Sequence, residues 1–476
     1  MTTGQASLFH SIFSLAHDPP ALPHTPESCG SSVIHSQPST GREKSIYTWR
    51  QEASSSHSQP EPTVDLPNSE DDDPEDSEKI LVGMLDELVL DREVESNIVP
   101  FVAHAFASWI SRFAFEPTRT ISLARATIIR GHSFGPEIYQ KMVSAANAVF
   151  SISKSTDYEL TYFTIFYQQL VKGALEARAC SELTREAAMK AMGSCHELIS
   201  ITSKVASLAT VLNLMNLYAP VFRRACPESG DKLVNLPRRL TAAEVTLKYF
   251  ASYDVLQGLI THRPMFFRYD LNILTPKDDE LLDVDDRPGL RWTIGIPDRL
   301  MLALARINIL VEDYGSSVDK EVVHELATEI ERACKPIVTC NPKEDSILMV
   351  RRLVVQKVWS LAGYVYLYMG LSGADSNDAR VVKVQKQFMR LLETVKPRRN
   401  PDVFLTFPIV ILGIATSSPV DRSILSARLW GVSECSKPGT VGNDVVRMLN
   451  DIWERTTKRP AVWSDLRVAC LKITGM

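Results

Sequence analysis

Three short motifs in this chain of 476 residues carry residue types that chemistry needs. Gly131-His132-Ser133-Phe134-Gly135 has the G-x-S-x-G spacing of a nucleophile elbow, in which a sharp strand-to-helix turn exposes a serine hydroxyl. Such a serine needs a histidine base and an oxyanion hole of backbone N–H groups. His196, His262 and His324 follow it, but none ends a convincing strand, and no HGGG-type segment supplies the hole. The simpler reading makes Gly131 a helix C-cap and 131–135 a turn into the next helix. His324-Glu325-Leu326-Ala327-Thr328 opens like the zinc motif H-E-x-x-H, but threonine replaces the second ligand. Asp72-Asp73-Pro74-Glu75-Asp76 has the D-D-x-x-D spacing that can hold magnesium and a diphosphate on a helix. Here a proline interrupts it, so it reads as a solvated acidic run. There is no G-x-x-x-x-G-K-[ST] phosphate loop.

The cysteines add no metal site. Cys29, Cys180, Cys195, Cys226, Cys334, Cys340, Cys435 and Cys470 are scattered, and no C-x-x-C occurs. Closed zinc sites need thiolates or imidazoles clustered at short spacing. Free thiols in a reducing compartment are expected. No catalytic residue, cofactor site or metal site is therefore expected, and a serine hydrolase acting through Ser133 is the alternative.

The elements that would position any site begin where the chain changes character, near Lys79. Residues 1–78 hold 15 Ser and 9 Pro, with 13 acidic against 3 basic residues. Such a segment cannot bury enough apolar surface to offset the entropy of ordering, so a disordered acidic tail is expected. Ser69, followed by Glu70-Asp71-Asp72, is a candidate phosphorylation site within it. The formal charge of -5 divides into -10 on the tail and +5 on the rest, too little to mark a nucleic-acid binder.

Residues 79–476 read as one all-α body. Ile80, Leu81, Met84, Leu85, Leu88 and Val89 recur at helical spacing. Thr156-x-x-Glu159 and Thr241-x-x-Glu244 have the capping-box pattern and are expected to open helices. Residues 265–293 read as an exposed loop. A helix starts at Pro297-Asp298 and stops at Gly315. It is apolar almost all round, so it is expected at the centre of the body. Val381, Val384, Phe388, Leu391 and Val395 form a seam expected to pack within the same body. Residues 403–415 are apolar but shorter than the ~18 residues a membrane-spanning helix needs. A buried core helix and no membrane partner are expected. Period-2 alternation is scarce, so no sheet is expected.

The C-terminal half resembles a known family. Phe-Ala-Ser-Tyr-Asp-Val-Leu-Gln-Gly-Leu-Ile-Thr-His-Arg-Pro-Met-Phe-Phe-Arg-Tyr over 250–269, Gly-Ile-Pro-Asp-Arg-Leu-Met over 295–301, Tyr-Leu-Tyr-Met-Gly-Leu over 366–371 and the segment 404–415 are similar to the fungal-specific transcription factor domain. So is the closing stretch 439–476, with Asp451-Ile452-Trp453 and Pro460-Ala-Val-Trp-Ser-Asp-Leu466. That domain is the helical regulatory region of fungal zinc binuclear cluster regulators. The resemblance implies a nuclear, all-α regulator that contacts proteins of the transcription machinery, with self-association among its contacts. It also implies an upstream module in which six cysteines hold two zinc ions. The tail here has one cysteine, Cys29, and no basic run, so that ligand role falls on no residue of this chain. No specific DNA binding by the chain alone is expected, and beside the hydrolase a helical scaffold unrelated to transcription is a further alternative.

Overall fold

The computed structural model describes residues 98–476 apart from 118, 121–123, 125–135, 156, 243, 285–288 and 334–345, with only the backbone of 136–138 and 346–348. The tail 1–78 with Ser69, the acidic run 72–76, the helical pattern at 80–89 and the motif 131–135 lie outside the described residues.

The fold is all-α. α1 (Ile98–Phe113) carries Pro100 in its first turn, where a missing N–H breaks no helical bond. It packs on α2 (Pro136–Lys154), which offers the small buried residues Ala145, Ala146 and Ala148 beside Val149 and Ile152. α3 (Thr161–Ala179), α4 (Arg185–Met192), α5 (Cys195–Val205) and α6 (Leu208–Ala225) follow. Thr184 and Ser207 cap α4 and α6 by accepting the N–H groups of Ala187 and Thr210. Asp444, far along the chain, also caps α6: its Oδ2 accepts the N–H of Leu208 at 2.9 Å.

β1 (Val234–Asn235) leads into α7 (Leu236–Thr241) and α8 (Val245–Thr261). β2 (Tyr269–Asp270), α9 (Pro276–Leu282) and α10 (Leu290–Ile294) come next, then α11 (Asp298–Tyr314) and α12 (Lys320–Ala333). α13 (Ser346–Val365) runs into a π-helical turn, Tyr366–Leu371. α14 (Ala379–Glu393), α15 (Arg399–Ile414), α16 (Pro419–Trp430), α17 (Ser433–Ser436), α18 (Val441–Arg455) and α19 (Ser464–Thr474) complete the body.

Several local expectations need correction. β1 and β2 pair in parallel, Val234 opposite Tyr269 and Asn235 opposite Asp270. Two residues are too few to show alternation. The Asn235 side chain fixes them instead, donating to Asp270 Oδ2 at 2.9 Å and the Asn272 carbonyl at 2.8 Å. The stretch read as a loop thus contains β2, α9 and α10. The capping box at Thr241 does not form. Thr241 ends α7, its hydroxyl donating to the Pro237 carbonyl, and Glu244 precedes α8 without a side-chain cap. α3 starts only at Thr161, again without a side-chain cap, and Thr156 lies outside the described residues.

The centre is occupied by α8 rather than α11. α8 is buried from Leu247 to Thr261 with Tyr253 alone only partly covered, whereas α11 leaves Glu312, Asp313 and Tyr314 exposed. The polar residues on α8 hid this in sequence: Asp254 is met by its neighbours, whereas Gln257 Oε1 is buried without a hydrogen-bond partner among the described residues. Asp254 accepts from the N–H groups of Phe266 and Phe267 at 2.7 and 3.1 Å and from the Tyr269 hydroxyl at 2.8 Å. Asn308 of α11 donates to the Val255 carbonyl at 2.9 Å and accepts from the Tyr366 hydroxyl at 2.6 Å. Gly258 admits this approach, because a Cβ there would lie 2.8 Å from Asn308 Nδ2.

Other expectations hold. Gly315 caps α11 at φ 58°, a conformation that favours glycine. The seam on α14 is buried against its own body, with Val381, Val384 and Phe388 fully covered. α15 is a core helix despite Pro408. Apart from these expectations, among the described residues no helix is long and apolar enough to cross a membrane.

Gly442 generates a test. A Cβ there would lie 2.4 Å from the backbone carbonyl oxygen of Glu434. Gly442→Ala should force α17 and α18 apart and destabilise the protein by about 1–3 kcal/mol. Gly173→Ala on α3 meets nothing within 4 Å and should be neutral or stabilising by up to about 1 kcal/mol. Chemical denaturation midpoints compare the two, and equal tolerance would contradict this packing.

Candidate functional site

A cavity of about 620 Å³ opens between the N-terminal helices, α8 and the C-terminal helices. Trp109 and Phe113 of α1, Val149 of α2, Leu256 of α8, Trp292 of α10 and Phe407 of α15 give it a mainly apolar wall. This volume falls within the range of about 300–1,000 Å³ typical of small-molecule sites.

α5 supplies the polar part. Leu198, Thr202 and Val205 recur on one face and are buried in the core. His196, Ser200, Ser203 and Lys204 fall on the other face and line the cavity, with Glu197 beside them. His196 Nδ1 lies 2.9 Å from Glu197 Oε2, and the imidazole stacks on Tyr249 at 5.5 Å between centroids. Burial alone would raise the Glu197 carboxyl, but the charge and hydrogen bond of His196 bring it below its ordinary value. Ser200 Oγ and the Tyr253 hydroxyl are 3.0 Å apart, and the Tyr249 hydroxyl donates to the Gly289 carbonyl at 3.2 Å. Burial raises both tyrosines, so they remain neutral donors.

A second charged group closes the cavity beside α17. Arg399 holds Glu434 through two hydrogen bonds, NH1 to Oε2 at 2.9 Å and NH2 to Oε1 at 2.7 Å. Burial works against the carboxylate, yet Arg399, with Lys204 behind it, draws Glu434 far below the usual carboxylate range. The Phe113 ring lies between cations, with Lys204 Nζ at 5.3 Å and Arg399 Cζ at 5.4 Å from its centroid. Burial lowers the Lys204 ammonium, while Glu434 opposes that shift.

Chemically, this arrangement can hold a molecule. Burial pushes the Cys435 thiol up to about 12, so it stays protonated. Ser200 is engaged by Tyr253 and His196 by Glu197, so the stripe forms no nucleophile–base pair.

The residues singled out by sequence do not converge. Ser133 lies outside the described residues. Of its three candidate bases, His196 is in the cavity. His262 caps the end of α8 at φ 49°, and His324 lies on α12, where the Thr328 hydroxyl donates to its carbonyl. Cys195, Cys226, Cys435 and Cys470 are buried free thiols and Cys180 is exposed. Cys29, Cys334 and Cys340 lie outside the described residues. Among the described residues, no group of three or more His, Cys, Asp or Glu side chains is placed to hold a metal ion. Sequence reasoning missed Lys204, Arg399, Glu434 and the two tyrosines. Cys-His-Glu-Leu-Ile-Ser-Ile-Thr-Ser-Lys-Val over 195–205 reads as an ordinary helix with a solvated face, and only the packed structure turns that face onto a cavity.

The family model for the fungal specific transcription factor domain matches residues 227–470, just over half of the chain. The chain belongs to the fungal-specific transcription factor domain family. No curated protein and no solved structure matches it. This is a transcription-factor family rather than an enzyme family, and it places the chain in transcription regulation. The cavity of this transcription-factor domain protein crosses the edge of the match. Tyr249, Tyr253, Trp292, Arg399 and Glu434 lie inside it, whereas Trp109, Phe113, His196 and Lys204 precede it.

Arg399→Met should leave a buried carboxylate without its main partner. A loss of about 3–5 kcal/mol at neutral pH is expected. The depressed Glu434 carboxyl stabilises the fold fully above its ordinary value of 4.5 and loses that contribution as pH falls below it. The gap between variant and wild type should therefore narrow in acid. Thermal melts from pH 7 to pH 3 measure this, and a gap independent of pH would contradict the assignment.

Proposed function

We propose that this chain is the helical regulatory region of a fungal transcription regulator, and that it takes a small-molecule effector into the cavity. It works in the nucleus through contacts with proteins of the transcription machinery and with further copies of itself. It carries no zinc-cluster DNA-binding module of its own and is not an enzyme. Residues 79–476 form the regulatory body, and the acidic tail 1–78 is a contact for basic partner surfaces. The observation that carries this reading is the apolar cavity shared between the family-matched helices and those before them. A ligand there touches both groups at once and stabilises the arrangement that binds it, by an amount set by its concentration relative to Kd. A partner that prefers this arrangement is then bound more tightly. No observation among the described residues favours a hydrolase acting through Ser133.

DNA affinity requires several neutralised phosphates, and the net charge of -10 on the tail opposes this. The purified chain should show only weak, salt-sensitive DNA binding and no stoichiometric zinc. Fused to an unrelated DNA-binding domain, the whole chain should change transcription from a reporter carrying that domain's site. A fusion that is nuclear and folded but leaves the reporter unchanged would refute the regulatory reading. Sequence-selective binding by the unfused chain at physiological salt would refute the absence of a DNA-binding module.

A further inference from the structure

The polar stripe of α5 has a feature that packing does not explain. Apart from Lys204, its groups meet protein partners: His196 meets Glu197, Ser200 meets Tyr253, and the Ser203 hydroxyl donates to the Ser200 carbonyl at 2.7 Å. Lys204 does not. Its ammonium lies 5.3 Å from the Phe113 centroid, and among the described residues no carboxylate or other hydrogen-bond acceptor is within bonding distance of it. The nearby acid, Glu434, is already held by both terminal nitrogens of Arg399. Glu434 acts on Lys204 only from beyond bonding distance, and an ammonium half removed from water with no anion in contact is costly, as its lowered affinity for the proton reflects. Most of the remaining wall is apolar, with Gln257 and Thr293 among its polar members. The lining cations Lys141, Lys190 and Lys204 also outnumber the lining carboxylates Glu197 and Glu434.

We infer that the cavity binds an amphipathic monoanion, an apolar molecule ending in one carboxylate, with Lys204 as the anchor of that carboxylate and the aromatic wall as the seat of its body. Ser200 stands one turn before Lys204 on the same face, and where its hydroxyl accepts from Tyr253 its own proton is left for the same end of the ligand. This inference rests on the cavity being an effector site and adds the chemical class of the effector.

The test uses the purified full chain with decanoate and its uncharged counterpart decan-1-ol, both below their aggregation limits, titrated by calorimetry. Decanoate should bind at least about tenfold more tightly than decanol, the equivalent of one charge-assisted hydrogen bond. Lys204→Met should abolish that preference and leave decanol affinity unchanged, and Lys204→Arg should restore it. Without ligand, Lys204→Met should melt at or above the wild-type temperature, because it removes an uncompensated ammonium. A purely structural lysine would instead lower the melting temperature. Equal binding of the acid and the alcohol, or a preference that survives Lys204→Met, would overturn the anionic class while leaving the cavity an effector site. Failure of both probes to bind would overturn the class and the effector reading together.

Discussion

α8 passes through the body with almost no solvent face, and the surrounding architecture follows from that constraint. A helix so enclosed cannot leave its carboxylate to bulk water, so Asp254 is met by a neighbouring segment. Asp254 gathers the backbone of Phe266 and Phe267 and the hydroxyl of Tyr269, fixing the segment that pairs with β1. Gly258 leaves room for Asn308, which ties α8 to α11 and, through Tyr366, to the π-helical turn. Tyr249 and Tyr253, on the side toward α5, form one wall of the cavity.

The cavity exists because α5 meets α8 with polar residues where a core helix would carry leucine or valine. The charges around it are organised rather than random. Arg399 neutralises Glu434, His196 faces Glu197, and Lys204 is left to the open space. A regulator gains from such a design. On the proposed reading, filling the space with an apolar body and meeting one ammonium with one anion would offset two costs of this arrangement. The family match covers only part of this site, since Lys204 and His196 stand before residue 227.

Much of the fold was legible in sequence because helix signals are local. Pro297-Asp298 and Gly315 bracket α11, the seam from Val381 to Val395 repeats every three or four residues, and the run through Leu412 is continuously apolar. Signals that depend on context failed. Thr241-x-x-Glu244 has the letters of a capping box, but Asn235 and Pro237 start a short helix upstream and use Thr241 at its end. α8 contains Lys248, Asp254 and Gln257, so its composition concealed its burial, while the more uniformly apolar α11 looked more central than it is. The site was not legible at all. Its walls come from elements spread between Phe106 and Gly442, and no spacing rule links residues so distant. The one histidine that sequence reasoning and the cavity share, His196, was considered for a catalytic role that its partners do not support.

The central claim is that the helices before residue 227 and those after it form a single cooperative body around α8 and the cavity. Native-state hydrogen exchange of the full chain, followed by mass spectrometry across a denaturant series, tests it most directly. Peptides from α5 and α6 should lose protection at the same denaturant concentration as peptides from α8 and α18, because Asp444 caps α6 and Lys204 and Glu434 share one cavity. If α8 and α18 stay protected after α5 and α6 have opened, the family-matched segment is a unit of its own, and a cavity spanning both cannot be the site through which the protein is regulated.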